Sequence, residues 1–402
     1  MEPKLKPYSI REVQLEDGER LPILTHDDPL GLPVRGTTEY SLTKLRARGL
    51  RPTSMRQRVD ALGHALQFFA SRNIDLIART ASHDFLSQAE LVALADRCRE
   101  PSRANHSRPV VSANYAYVRY STALDYVSWV AEPVISRITD PRQRASANTS
   151  FERFLKRART VAPQRRGHDS HVDGERHGLT DGQREMFLTV IRPGDPGNPF
   201  SPRNQVRNYA VLLTAYKLGA RSGEIRGLKK IDIDLDTGQP ELCIVPRYHD
   251  KDDRRLDPAA AKTNGRLLHL DPELAAAMGA WLIDRKDRKK WVRAHRHPYV
   301  FVNRYGDAIE GRGYRKIVER LRAVYPSLTS LCHHVLRHDW NDRWVDLVES
   351  TGGNSAKAEN QQRYAMGWSH QSNMPMVYGK RAIAKSANKR ILALQDKDPI
   401  NE

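Results

Sequence analysis

The sequence predicts a mainly α fold with a small antiparallel β-sheet, α+β in class, with a helical N-terminal domain and a mixed C-terminal one. Three observations carry this. A chain of 402 residues exceeds one ordinary domain. Residues 41–162 repeat apolar positions at helical spacing. Residues 231–270 instead carry the short apolar runs and alternations of strands.

Taken in order, residues 1–40 hold Pro29, Gly31, Pro33 and Gly36 and read as an irregular N-terminal arm. No strand is expected before residue 160. Pro52-Thr53-Ser54 starts a helix, and Met55, Val59, Leu62, Leu66 and Phe69 give it an apolar stripe. Arg51, Arg56 and Arg58 gather at its first turns and are candidates for phosphate contact. A second helix, about 112–131, lines up Tyr117, Tyr120, Leu124 and Val127, and a third covers about 148–161. Residues 163–178, PQRRGHDSHVDGERHG, are nearly devoid of apolar side chains and read as an exposed linker. The second domain, 179–402, opens with a Thr180/Gln183 capping box and a helix near 181–191. A helix from Asn204 to Leu218 then ends at Gly219. Ile231, Ile233 and Leu235 alternate with polar residues, Leu242–Val245 and Arg266–Leu270 are apolar runs, and Asn264-Gly265 is a hairpin signal. A three-stranded antiparallel sheet follows from these. Asp271-Pro272-Glu273 opens another helix, and residues 312–390 read as helical.

Composition narrows the function classes. Lys and Arg total 66 against 48 Asp and Glu, a net charge of +18. Such a surplus along a folded chain points to a polyanion, and with no amphipathic anchor it favours nucleic acid over a membrane surface. No run approaches the roughly 20 apolar residues of a membrane span. The first residues lack the apolar core of a secretory signal, so a cytoplasmic, nucleoid-associated protein is expected. Cys98, Cys243 and Cys332 lie far apart and read as reduced, structural thiols without a zinc site.

Four segments of the second half carry chemistry-bearing residues. Leu218-Gly-Ala-Arg221-Ser-Gly-Glu224 places an arginine just past a helix end. Lys262-Thr-Asn-Gly-Arg266 places a lysine at a hairpin tip, and His333-His334-Val-Leu-Arg337-His338 opens a helix after a Thr329/Ser330 cap. Gly367-Trp368 is followed ten residues later by Tyr378. Each piece alone is weak; their order and element types together make a strong signal.

Together they resemble the tyrosine recombinase (phage integrase) family over residues 179–390, and the helical half is similar in type to that family's core-DNA-binding domain. The resemblance implies a catalytic set of Arg221, Lys262, His334, Arg337, Trp368 and Tyr378, with Glu224 supporting. It implies a two-domain, C-shaped clamp on double-stranded DNA with specific sites. Cleavage would give a 3′-phosphotyrosyl link and a free 5′-hydroxyl. Exchange would pass through a Holliday junction in a homotetramer, or mixed recombinase tetramer, on two sites, with no cofactor. A mobile element or phage is the expected setting. Trp368 stands where most relatives have His, and the Trp368–Tyr378 interval is one residue longer than usual. The Tyr248–Ala261 stretch, with Lys251, is a long polar insertion before Lys262.

The residue types also suit the chemistry on their own terms. Attack on a phosphodiester builds negative charge on the non-bridging oxygens, which two forked arginines can hold. A hairpin lysine can protonate the leaving 5′-oxygen. His334 and Arg337, three apart, share a helix face, and Glu224 orients a cation rather than reacting. Bland readings stand beside these. Arg221, Lys262 and Glu224 could be surface charges and Trp368 ordinary core, and Tyr364 is a rival tyrosine. Arg285, Lys289 and Lys290 form either a solvated face or a phosphate contact. The rival functions are a type IB topoisomerase and a catalytically silent DNA-binding protein. Apolar Ile383, Ile391 and Leu394 in a helical tail favour a recombinase that docks on a neighbour.

Overall fold

The computed structural model describes residues 7–101, 110–164, 178–259, 263–287, 292–352 and 355–377, with a few isolated positions up to 395. The chain forms two compact units, Met1–Gly174 and Glu175–Glu402. Of the expected linker, only Pro163, Gln164 and Gly178 lie among the described residues.

The first unit corrects the reading of the N-terminal arm. β1 (Tyr8–Gln14) and β2 (Arg20–His26) form an antiparallel hairpin, paired from Tyr8 with His26 to Gln14 with Arg20. Asp17-Gly18 is the turn signal, and Gly18 takes a φ of 91° there. Charged Glu12 and Arg20 interrupt the apolar alternation, which hid the strands. Both are held by an ion pair between them at 3.6 Å. Buried Leu21 and Leu24 of β2 share a core with Met55, Val59 and Leu62.

A short helix α1 (Thr37–Tyr40) precedes α2 (Pro52–Ser71), which begins with Pro52 just inside its first turn. α3 (Leu76–Ala81) and α4 (Gln88–Arg99) follow, the latter opened by a Ser87/Glu90 capping box. α5 (Ala113–Ser136) buries Tyr120 and Val127 as its spacing predicts. α6 (Pro141–Val161) starts seven residues before the expected 148. Its Asp140 cap accepts the N–H groups of Arg142 and Gln143 at 2.7 and 2.9 Å, a signal masked by the polar first turns.

The second unit is built on α8. The capping box opens α7 (Asp181–Val190), and α8 (Pro202–Leu218) buries Leu212, Leu213 and Tyr216. A short α9 (Ser222–Gly227) leads into β3 (Ile233–Asp234), β4 (Glu241–Ile244) and β5 (Arg266–His269). These form the expected three-stranded antiparallel sheet in the order β3-β4-β5, with Leu242 opposite Leu268. α10 (Pro272–Asp287) opens with the Asp271 carboxylate accepting Leu274 N–H at 2.9 Å. α11 (Val292–Arg296) and α12 (Gly311–Val324) follow. α13 (His333–Ser350) starts at an extended Cys332 rather than at a Thr329/Ser330 cap, and α14 (Ser355–Met366) follows it. Trp281, Phe301, Val335 and Leu336 fill the core around α8, each burial contributing roughly 1.5–3 kcal/mol. Among the described residues no helix is long and apolar enough to cross a membrane.

Candidate active site

Arg221 sits in a tight turn between two helices. α8 ends at Gly219 with φ 56°, and a Cβ there would lie 2.9 Å from the Trp340 ring and 3.0 Å from the Met366 methyl. Only glycine suits both the left-handed backbone and the close approach. α9 begins with Arg221 as its N-cap, and the Arg221 N–H donates to Glu224 Oε2 at 2.9 Å. The Arg221 guanidinium lies 3.5 Å from Glu224 Oε1 and keeps 28% of its side chain exposed.

Glu224 is fully buried. Arg266 Nη2 donates to its Oε2 at 2.9 Å, and the Thr263 hydroxyl donates to its Oε1. Burial works to raise the Glu224 pKa. The Arg266 charge and hydrogen bond, with Thr263 and the Arg221 N–H, outweigh it and hold the carboxyl below its ordinary range. Glu224 is therefore a buried anion that fixes the Arg221 turn.

Arg337, one turn after His334 on α13, is 3% exposed. Its Nη1 donates to the Gly219 carbonyl at 2.7 Å and its Nη2 to the Met366 carbonyl at 3.1 Å. Its guanidinium carbon lies 5.5 Å from the Trp368 ring centroid. Trp368 packs on Met366 beside Trp340 and Met374. One guanidinium thus ties the turn that carries Arg221 to the turn that carries Trp368. His334 is solvent-exposed. Its neighbour His333 stacks on Tyr314, with ring centroids 3.7 Å apart. Burial, then the charges of His334, Arg226 and Arg315, push His333 down to about 3, so it is a neutral packing group.

Lys262 and Tyr378 lie outside the described residues, as do Lys289 and Lys290. The rival tyrosine is occupied elsewhere: the Tyr364 hydroxyl donates to the Leu267 carbonyl at 3.1 Å and accepts its N–H at 3.3 Å. Arg285 is a correction. It is 1% exposed and its guanidinium donates to the carbonyls of Tyr299 and Val300 at 2.7 Å, of His297 at 3.0 Å, and of Ala294. Burial lowers it to about 10. It braces the 294–300 segment and is not placed to meet DNA. In the first unit, Arg56 pairs with Glu12 at 2.6 Å and Arg58 with Asp125 at 3.5 Å, while Arg51 caps α2.

The sequence reading missed Arg266 as a site residue. A signal existed: strand alternation puts Arg266 on the inward face of β5, where an arginine needs a buried anion. Among the described residues, no group of three or more His, Cys, Asp or Glu side chains is placed to hold a metal ion.

Residues 198–351 match the model of the phage integrase family. This segment is similar to that family. Its span includes Arg221, Glu224, His334 and Arg337 and ends before Trp368 and Tyr378. The TnP I resolvase of Bacillus thuringiensis is 27% identical over 135 residues, 34% of this chain and 39% of the relative. A tyrosine recombinase XerC of Lacticaseibacillus casei is 27% identical over 164 residues, 40% of this chain and 47% of the relative. These matches span less than half the length of either curated relative. The Tn1549 transposon integrase, solved in complex with circular intermediate DNA, shares the fold with a TM-score of 0.51 at 16% identity. That likeness covers 85% of this chain and 94% of the other.

Proposed function

We propose that this chain is a site-specific tyrosine recombinase, serving a mobile element or phage, that cuts and rejoins duplex DNA through a 3′-phosphotyrosyl intermediate. The observation that carries the reading is Arg337, whose buried guanidinium bridges the Gly219 and Met366 carbonyls and so sets Arg221 and Trp368 about one centre. The phosphate of the scissile bond would lie against Arg221 and Arg337. Their permanent charges would stabilise the five-coordinate state more than the ground state.

The Tyr378 oxygen attacks phosphorus, a P–O bond to tyrosine forms, and the bond to the 5′-oxygen breaks. The phenol proton passes to a base, with His334 one turn from Arg337 as the candidate, and Lys262 returns a proton to the leaving oxygen. Rejoining reverses these transfers, so the covalent link stores the bond energy and no nucleotide is consumed. Trp368, packed beside Arg337, would wall the phosphate site and turn its indole N–H to a phosphate oxygen. The helical first unit supplies further DNA contact. Arg51, Arg56 and Arg58 remain candidates there, and the Arg56 side chain is 45% exposed although it pairs with the more buried Glu12. Synapsis by a tetramer on two sites completes the reading.

The test uses a nicked duplex, selected from randomised DNA by binding to the full chain, whose cleaved fragment diffuses away. Peptide mapping of the adduct should locate Tyr378. Tyr378→Phe should bind equally and form no adduct, while Tyr364→Phe should still form one. An adduct mapped to another residue breaks the assignment, and no adduct from the wild-type chain favours a silent DNA-binding protein. With a 5′-bridging sulfur, which leaves without a proton, Lys262→Ala should recover its cleavage rate. Recovery by Lys251→Ala instead would move the acid into the insertion.

A further inference from the structure

Arg266 stands at the junction of three segments that the cleavage chemistry needs. Its Nη2 holds the Glu224 carboxylate at 2.9 Å, and through it the turn of Arg221. Its Nε donates to the Ala365 carbonyl at 2.7 Å, at the end of α14. Its Nη1 lies 3.4 Å from the Thr263 hydroxyl, in the hairpin residue next to Lys262. The side chain has no solvent exposure. The Gly367 backbone is pressed against the same group. A Cβ on Gly367 would stand 2.6 Å from Arg266 Nη1, and the Gly367 carbonyl accepts the Asn264 N–H at 3.0 Å. Side-chain contact this dense around one buried cation exceeds what closing a hairpin requires.

We infer that Arg266 is a positioning residue for strand cleavage: its forked guanidinium locks the Arg221 turn, the lysine hairpin and the Gly367-Trp368 turn into one register. The inference rests on the recombinase reading. The physical reason is that a planar fork can satisfy several acceptors at fixed angles, which an ammonium cannot. Each of the three segments comes from a different part of the chain; Thr263 on Glu224 and the Asn264 N–H on Gly367 join them in pairs, and Arg266 touches all three. Small misplacements of catalytic groups cost large factors in rate. Arg266 also keeps Glu224 ionised. Without it, the carboxylate would face only the Arg221 cation, the Thr263 hydroxyl and the Arg221 N–H. Arg247, Asp250 and Asp253 line a small cavity beside it. Arg247 is engaged by Asp232 at 2.5 Å, so it does not replace the lost charge.

The experiment measures single-turnover adduct formation on the selected nicked duplex from pH 5.5 to 9, with binding measured alongside. Arg266→Met should bind within about threefold of wild type and cleave on the order of 10²-fold more slowly at pH 7, by analogy with loss of transition-state positioning. Its rate should rise with pH, because Glu224 loses the largest of the interactions that hold its carboxyl pKa down against burial. Glu224→Gln in the Arg266→Met background should remove that rise. Arg266→Lys, the safer fold, keeps the charge and loses the fork. It should cleave about tenfold slower, with the wild-type pH profile.

A wild-type rate from Arg266→Lys overturns the inference, as does a Met variant whose cleavage and binding fall in proportion. A pH rise that survives Glu224→Gln overturns the coupling through Glu224. The wild-type chain runs as the control: if it forms no adduct, the recombinase reading itself has failed, whereas a wild-type adduct with unaltered Arg266 variants sinks only this inference.

Discussion

Arg337 is 3% exposed and holds two main-chain carbonyls, whereas Arg221 keeps 28% of its side chain in solvent beside Glu224. Truncating Arg337 leaves the Gly219 and Met366 carbonyls unmet, at roughly 1–3 kcal/mol each. Truncating Arg221 leaves Glu224 its salt bridge to Arg266. Both Arg221→Ala and Arg337→Ala should slow strand cleavage by on the order of 10²-fold or more, yet only Arg337→Ala should cost several kcal/mol in urea unfolding. Equal stability losses would show that Arg221 is as structural as Arg337. The split also explains what the sequence could reveal. Arg221, His334, Arg337 and Trp368 each sit beside a helix end or start, so short motifs located them. Arg266 did not announce itself because its anion, Glu224, lies 42 positions away. Arg285 was misread for a related reason: a run of cations does not say which one turns inward to carbonyls of the next segment.

The Tyr248–Ala261 insertion reads from sequence as a polar loop; its described part is mostly exposed but is anchored by a buried ionic clasp at Asp253 and Arg255. Arg255, 5% exposed, grips Asp253 at 2.8 and 2.9 Å and donates to the carbonyls of Arg226 at 2.9 Å and Ile309 at 3.0 Å. Lys229 binds Asp250 and Asp252 at 2.9 and 2.7 Å, and the Tyr299 hydroxyl donates to Asp250 at 2.7 Å. Burial would raise the Asp253 carboxyl; the Arg255 hydrogen bond and charge hold it low instead. Breaking one side of such a pair strands a buried charge, at about 3–5 kcal/mol. Arg255→Met should therefore lower the unfolding free energy by that order, while exposed Lys251→Ala should stay within about 0.5 kcal/mol. A loss below 1 kcal/mol for Arg255→Met would mean that the clasp is ornamental. Composition hid this element, as charge hid the β1–β2 hairpin, because both pair polar side chains internally where apolar patterning expects solvent. The capped helices α7 and α10 were legible for the opposite reason, since their signals are local.

Across the whole molecule, each compact unit contains a histidine kept neutral by its surroundings, and acid should reach both. His64, in α2 of the first unit, is 6% exposed, and its Nε2 pairs with the Arg97 carbonyl at 2.8 Å. Burial pushes its pKa down to about 4. His333, in α13 of the second, is pushed down to about 3, chiefly by burial. An unfolded histidine titrates near 6.5, so below that pH the unfolded chain binds protons that the folded chain refuses. The stability due to each group is complete above pH about 6.5. It is lost progressively as pH falls, through about 4 for His64 and about 3 for His333. The slope approaches about 1.4 kcal/mol per pH unit for each. Carboxylates held low, such as Glu224 and Asp253, add their own loss from the ordinary carboxyl pKa near 4 downward, so pH 6.5 to 5 reports chiefly on the histidines, His297 of the second unit among them since burial lowers it too. With two units, one global transition is not assured, and the measurement should be local: amide exchange of peptides from α2 and α13, corrected for intrinsic rates, between pH 7 and 5. Protection should fall in both helices of the wild-type chain. His64→Gln, which can still donate to the Arg97 carbonyl, should flatten the pH dependence in α2 and leave that of α13 untouched. His333→Gln should do the reverse. A slope in α2 that persists without His64 would assign the acid sensitivity of that unit to other groups.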